Sequence, residues 1–382
     1  MRKPVLFRVV NNLDIGGVSR RLQQLLPLLQ DAFEVHVATY HRAGALSPHF
    51  REMGIAVHHL PLRGKWNPAG LRRLARLLRE HRAAIVHTHS FGGNISGILA
   101  ATLAGVPVRL AQVHTRSQHW YGKTELRRKK QRLEEYLVHS LCTHAVLFAS
   151  PLALEYFASH CPVSRKKLLL LHNGIRLPEP PSTPPPTAAD IRRRYGIPPE
   201  RRLLGLVGRL TAGKGVEFAV RFLQRARAAG QDYGLLILGK ADGPEQEARY
   251  RALGESAGGV CFAGLQEDPY PFYRCFDGFF FPSESWTEAM PGAVLEAAAH
   301  GLPILARENP AVREIAAFYP AIHFMADADD PVLTLDRLFA LPPADTRAVA
   351  DNFSIRAMAD KTLALYDRLL SEHGGAGVDK NS

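Results

Sequence analysis

The chain has 382 residues, 46% hydrophobic and 22% charged, with a formal net charge of +12. That length predicts two domains, and those fractions exclude a disordered or fibrous chain. No run approaches the roughly 20 apolar residues of a membrane span. The four cysteines, Cys142, Cys161, Cys261 and Cys275, are scattered without a CxxC pair. This argues against a zinc or disulfide scaffold and for a reducing compartment. The surplus cations concentrate at Gly70–Arg82 and Arg116–Arg132 and point to an anionic partner, nucleic acid or acidic membrane surface.

The N-terminus, MRKPVLFRVVNN, is basic and then briefly apolar, with Arg8 interrupting the run. Without a small-residue cleavage site it reads as a first strand, Leu6–Val10, and not as a signal peptide. Gly16-Gly17 follows, then a helical pattern over Ser19–Leu29. Strand, glycine turn and helix form a phosphate-cradling arrangement, although the dinucleotide fingerprint GxGxxG is absent. Strands are expected at Glu34–Ala38 and Ala56–Leu60, a basic helix at Leu71–Arg82, and a strand at Ile85–His87. This alternation predicts a parallel sheet covered on both faces.

His87-Thr88-His89 closes a strand, where open α/β sheets bind ligands. Two histidines at i and i+2 without a nearby third ligand do not make a metal site. A further strand, Val108–Val113, ends at His114-Thr115. Next come Trp120, Tyr121 and Arg127-Arg128-Lys129-Lys130, then a helix with apolar period at Leu133, Tyr136, Leu137 and Leu141. Aromatics beside clustered cations suit anionic lipid headgroups, and equally RNA stacking.

A strand at Ala145–Ala149 and then the run Lys167–Leu171 precede His172-Asn173-Gly174-Ile175 and a proline-rich run, Pro178–Pro186. Proline lacks the amide that helix and central strand require, so this run is a semi-rigid linker and a domain boundary. The second half opens with a helical piece, Ile191–Tyr195, and a strand, Leu203–Val207. Gly208-Arg209-Leu210-Thr211-Ala212-Gly213-Lys214-Gly215 then satisfies GxxxxGK, but Gly215 replaces the magnesium-binding Ser or Thr of a P-loop. Strands at Leu235–Leu238 and Val260–Leu265 follow, and a buried run, Gly278–Phe281.

After that run a polar loop reaches Glu288-Ala289-Met290, and Pro291-Gly292 opens a short helix closed by Gly301 and Pro303. Glu288 lies before this helix and Glu296 within it, eight positions apart. Two carboxylates framing open helix amides grip a polyhydroxylated ligand that carries phosphate. Asp327-Ala328-Asp329 reads as a polar loop. The last helix, Ile355–Leu370, is expected to take Ser354 as N-cap, and 371–382 to be a disordered tail.

The frame P-S…E-x-x-P…L-E-A-x-A-x-G-x-P around Glu288 and Glu296 resembles the E-x7-E signature of retaining, GT-B-fold glycosyltransferases of family 4. "HTH" at His87–His89, "NG" at Asn173-Gly174, "GRL…KG" at Gly208–Gly215 and "DGPE" at Asp242–Glu245 match in the same order, across nearly the whole chain. Ala289 stands where the family mostly has Gly, and the loop at 284–287 is longer. The resemblance implies two facing Rossmann-like parallel-sheet domains with an interdomain cleft. It implies Gly16 and Gly17 at the donor diphosphate, Arg209 and Lys214 at the leaving group, and His114 at the sugar near the reacting carbon. Glu288 would orient the sugar, Glu296 the ribose, and Leu265 the base, with Ala289, Met290, Pro291 and Gly292 lining the nucleotide-sugar site.

The implied reaction moves a sugar from a nucleotide-diphosphate sugar to an acceptor hydroxyl with retention, without metal or other cofactor. Basic helices and aromatics in the acceptor-side half favour a lipid-linked saccharide of lipopolysaccharide or exopolysaccharide assembly. In the resembling enzymes this half binds the acceptor and often docks on the membrane, which implies a peripheral place at the inner face of the cytoplasmic membrane and not on nucleic acid. The expected division is an acceptor-binding domain at 1–177, a linker at 178–189, a nucleotide-sugar domain at 190–351 and a returning helix at 352–370. A sugar-nucleotide epimerase of the same fold and a basic RNA-binding protein are the alternatives.

Overall fold

A computed structural model describes residues 2–62, 64–115, 124–178, 186–211, 213–284 and 288–374. The chain divides into two compact units, Met1–Gly174 with Ile355–Ser382, and Ile175–Ser354. Most of the proline-rich run, 179–185, lies outside the described residues, as do 116–123 with Trp120 and Tyr121, and 375–382.

The first unit is built on seven parallel strands: β1 (Val5–Val10), β2 (Glu34–Thr39), β3 (Ala56–His59), β4 (Ala83–His89), β5 (Val108–Val113), β6 (Ala145–Phe148) and β7 (Leu168–Leu170). Their order is β3-β2-β1-β4-β5-β6-β7, so strand order reverses between β1 and β4. β1 is buried along its whole length, Arg8 included. Near-continuous apolar runs are what a sheet covered on both faces demands. Leu6, Val10, Leu22, Leu25, Leu26, Val37 and Ile85 make one core; Phe7, Val9, Leu74, Leu78 and Val86 make another.

Helix boundaries depart from the sequence pattern for identifiable reasons. The expected helix at Ser19–Leu29 starts earlier, at Gly17, and ends at Leu25; Leu26–Leu29 tightens into a 3-10 turn carrying Pro27. The basic helix runs Pro68–Glu80, with Asn67 capping the amides of Ala69 and Gly70. The final helix, Ile355–His373, packs on Gly17–Leu25 and on β5 within the first unit. Ser354 sits between it and the helix Arg347–Phe353, in extended backbone bridged to Ile175.

The second unit repeats the plan with β8 (Arg202–Val207), β9 (Tyr233–Leu238), β10 (Val260–Gly264), β11 (Gly278–Phe281), β12 (Ile304–Arg307) and β13 (Ile322–Met325). Its order is β10-β9-β8-β11-β12-β13, all parallel, reversing between β8 and β11. Open α/β sheets bind ligands outside the carboxyl ends of the strands at such a reversal. The first unit offers β1 and β4 there, the second β8 and β11.

Candidate active site

In the second unit, the loops leaving β8 and β11 carry the residues that the sequence singles out. Gly208 to Gly215 connects β8 to the helix Val216–Ala228, and 282–291 connects β11 to the helix Gly292–Ala299. The two loops are tied together. The Glu284 amide donates to the Gly213 carbonyl at 2.8 Å, and Lys214 Nζ pairs with Glu288 Oε1. That pair is largely enclosed, with side chains 20% and 12% exposed. Arg209 is exposed and forms no ion pair among the described residues. The loop thus presents one cation to solvent and holds another against a carboxylate.

Gly215 has φ +71, and a Cβ there would lie 2.2 Å from the Pro282 carbonyl oxygen. The β8 loop therefore packs backbone to backbone on the end of β11, and only glycine fits. A P-loop hydroxyl has no room at this position.

The helix Gly292–Ala299 starts from Pro291 with no side-chain cap and no acid in its first turn. Open amides of a helix start favour an anion. A Cβ on Gly292 would meet nothing within 4 Å, so the space above this helix start is clear. Ala289 and Met290 are buried beneath the loop, 3% and 6% exposed, and Pro291 is buried with them. Glu296 sits one turn into the helix, where the Tyr273 hydroxyl donates to its Oε2 at 2.7 Å. Tyr273 is fully buried and stacks on His300, whose Nδ1 lies 2.8 Å from the Glu296 carbonyl. Leu265, 49% exposed, follows Gly264 at the carboxyl end of β10. Asp327 pairs with Arg307, and Asp329 accepts from the Ala326 amide at 2.8 Å, so the two carboxylates serve the loop itself.

In the first unit, Gly16 and Gly17 open the helix Gly17–Leu25, again without a side-chain cap. Gly16 is extended at φ −176, and a Cβ on Gly17 would meet nothing within 4 Å. Val18 and Arg21 of this helix line a small pocket with Arg8, His89, Gln112, His114 and Met358. The pocket lies at the carboxyl ends of β1, β4 and β5.

Three imidazoles stack there: His87 on His89 with centroids 4.8 Å apart, His89 on His114 at 5.1 Å. The fully buried Arg8 guanidinium lies 2.7 Å from His87 Nδ1 and 3.3 Å from His89 Nε2, and the Tyr366 hydroxyl 2.7 Å from His87 Nδ1. A guanidinium against both rings leaves no place for a metal cation between them. Arginine has only donors, so both of those nitrogens accept. The His89 proton is then on Nδ1 and is donated to His114 Nε2, 2.8 Å away. That leaves the His114 proton on Nδ1, which has no hydrogen-bond partner among the described residues. His114 lines the pocket, and its Nδ1–H is a buried donor. Burial first, then the charges of Arg21 and Arg8, hold its pKa down to about 3.

These buried rings make stability depend on pH. Burial lowers His89 well below the ordinary value and His139 to about 3. Each is neutral when folded and protonates when unfolded, so its contribution is complete above pH ~6.5 and falls by about 1.4 kcal/mol per pH unit below it. Calorimetry is expected to show a melting temperature level above pH 7 that falls steadily from 6.5 toward 4. A level profile to pH 4 would contradict the neutral column.

His114, Lys214, Glu288 and Glu296 are candidates from the sequence; Arg8, Arg21, Gln112, Tyr273 and Tyr366 become candidates only through their contacts with them or the pocket they share. Arg8 carried a signal, a lone cation inside a buried strand; Tyr273 and Tyr366 carried none.

Residues 15–178 match the family model of Glycosyltransferase Family 4, and 201–338 that of Glycosyl transferases group 1. The chain is 30% identical over 317 residues to a Bacillus subtilis (strain 168) protein assigned as glycosyltransferase EpsF, covering 80% of this chain and 79% of that protein. It is 27% identical over 244 residues to the Escherichia coli UDP-Gal:alpha-D-GlcNAc-diphosphoundecaprenol alpha-1,3-galactosyltransferase, covering 61% and 59%. The fold is similar to that of Anabaena HepE solved in complex with UDP, with a TM-score of 0.78, 13% identity and coverage of 95% and 100%.

Proposed function

The chain belongs to the family 4 glycosyltransferases of group 1, with the GT-B fold, and on that premise we propose that it moves a sugar from a nucleotide-diphosphate donor to a glycan hydroxyl with retention. The observation that carries this reading is the assembly of Lys214, Glu288, Glu296 and an uncapped helix start at the carboxyl ends of β8 and β11. A departing diphosphate needs positive charge placed in advance. Lys214, Arg209 and the amides of the Gly292–Ala299 helix supply it, and the diphosphate takes Lys214 from Glu288 on binding. Glu288 then turns to the sugar. Glu296, oriented by Tyr273, accepts from the ribose hydroxyls, and Leu265 offers an apolar surface to the base. The Nδ1–H of His114 donates to the sugar, with Gly16 and Gly17 leaving room for phosphate at their helix start. No step requires a metal.

The acceptor is a lipid-linked saccharide of cell-surface polysaccharide assembly, used at the inner face of the cytoplasmic membrane. Among the described residues no helix is long and apolar enough to cross a membrane. The helix Glu125–Cys142 instead turns its leucines outward: Leu126, Leu133, Leu137 and Leu141 are 45–79% exposed. Their spacing puts them on one helical face with exposed Lys129 and Lys130. Its buried face carries Glu134, which pairs with Lys65 and accepts from Trp66 Nε1 at 3.0 Å. Leucines outside and glutamates inside suit a helix lying in a lipid interface, with lysines reaching the headgroups. The relative named for a diphosphoundecaprenol substrate supports a lipid-linked acceptor.

Two tests follow. Thermal-shift screening against UDP, GDP, ADP and their sugar conjugates should give stabilisation by one nucleotide class, lost in Glu296→Ala; no stabilisation by any of them refutes the donor site. Donor consumption without acceptor would indicate the epimerase. Reversing Lys129 and Lys130 to glutamate should abolish binding to anionic vesicles and leave nucleotide binding intact; unchanged vesicle binding removes the membrane reading.

Arg8→Met separates positioning from packing. A buried cation without a carboxylate costs more to desolvate than it returns, so the variant should melt at or above the wild-type temperature. Losing the fixed tautomer of His114 should lower kcat about tenfold, the worth of one hydrogen bond. The nitrogen NMR shifts of His114 should change with it. A lower melting temperature with unchanged kcat would make Arg8 structural only.

A further inference from the structure

On the β2–β3 side of the first sheet, three histidines from three separate elements converge. His36 lies on β2 and His58 on β3, and the register sets Ala38 opposite His58, so both rings project from the same face. His81 follows the helix Pro68–Glu80 as its C-cap and closes over them. The rings of His36 and His58 are parallel with centroids 5.2 Å apart, and His81 meets them at 4.6 and 5.2 Å. Phe7 floors the group at 4.7, 5.6 and 5.7 Å. One ligand nitrogen from each ring lies within 4.8 Å of the others.

A second observation concerns the lone pairs. His36 Nε2 lies 3.0 Å from Glu34 Oε1 and its Nδ1 lies 3.0 Å from His58 Nε2. The carboxylate holds the His36 proton on Nε2, which leaves Nδ1 unprotonated and aimed at its neighbours. A carboxylate behind the distal nitrogen is how metal-bound histidines are oriented. We propose that His36, His58 and His81 bind one divalent zinc-class cation through their imidazole nitrogens, with Glu34 orienting His36 and a fourth position left to water. Zinc bonds to histidine span about 2.0–2.1 Å, and three such bonds set the donors about 3.3 Å apart, so the rings must turn toward one another on binding. The ion would tie the two outer strands to the helix that covers them. The proposal stands apart from glycosyl transfer, because none of its residues belongs to the candidate active site.

The test uses the untagged full chain, stripped with chelator, titrated with Zn²⁺ and passed through gel filtration before metal analysis. One zinc per chain should be retained, with a raised melting temperature. His58→Ala should weaken binding by about 100-fold or more, and Glu34→Gln by about tenfold, the usual range for a ligand-orienting carboxylate. Co²⁺ should give the visible absorption of a four-coordinate nitrogen site. His81→Gln, at a half-buried ring outside the strands, keeps the test readable should His58→Ala not fold. No retained zinc, or zinc retained equally by His58→Ala and His81→Gln, overturns the proposal.

Discussion

Replacing Lys214 with alanine should lower kcat by about 10²–10³, the cost of removing one preorganised charge from a transition state. The larger effect should be on kcat, because the negative charge on the diphosphate grows as the sugar departs. The substitution also strands Glu288, whose side chain is only 12% exposed and loses its cation. The single variant should therefore be less stable as well as less active, and the two losses must be separated. Glu288→Gln in the Lys214→Ala background removes the stranded charge. The double variant should recover its melting temperature and remain as inactive as the single one. Recovery of both would reduce Lys214 to a structural partner of Glu288. Lys214→Arg should recover only part of the activity, because a guanidinium is planar and spread where an ammonium is a point charge.

Gly215→Ser should strongly destabilise the second unit. The new Cβ would sit 2.2 Å from the Pro282 carbonyl oxygen, on a backbone at φ +71. Left-handed backbone costs about 1–2 kcal/mol for a residue with a side chain, and overpacking about 1–3 more. The sum is about 2–5 kcal/mol, which at this size lowers the melting temperature by about 4–20 °C. The variant restores the letter of a P-loop, so it also tests that reading: it should gain no magnesium-dependent ATPase activity. A stable Gly215→Ser that hydrolyses ATP would overturn the account of this loop. The contact lies at the seam between the β8 and β11 loops, so a variant that does fold should hold Lys214 poorly and lose activity beyond its loss of stability.

Much of the candidate site is legible in the sequence because its signals are local. Gly16-Gly17, Gly208–Gly215 and Glu288–Glu296 each fall within one strand–loop–helix, where glycine, proline and charge report backbone requirements directly. The pairing of Lys214 with Glu288 was not legible as a contact. The residues lie 74 positions apart and meet only because β8 and β11 are neighbours. Tyr273 reaches Glu296 from the short helix Tyr270–Tyr273, in a segment that carries no motif. The helix Glu125–Cys142 shows the limit of periodicity most clearly. Its leucine spacing predicted an apolar face, and the face exists, but it is turned to solvent while Glu134 and Glu135 are buried. Periodicity says that a helix has two faces and not which one the protein covers.

The sequence by itself determined the α/β class and marked out the candidate loops, since apolar runs, prolines and glycines act on their own neighbours. Only the tertiary structure decided the Arg8–His89–His114 relay and the convergence of His36, His58 and His81. Each joins side chains from elements far apart in the chain, brought together by the strand order and by the helices that cover the sheet. No single segment contains that information.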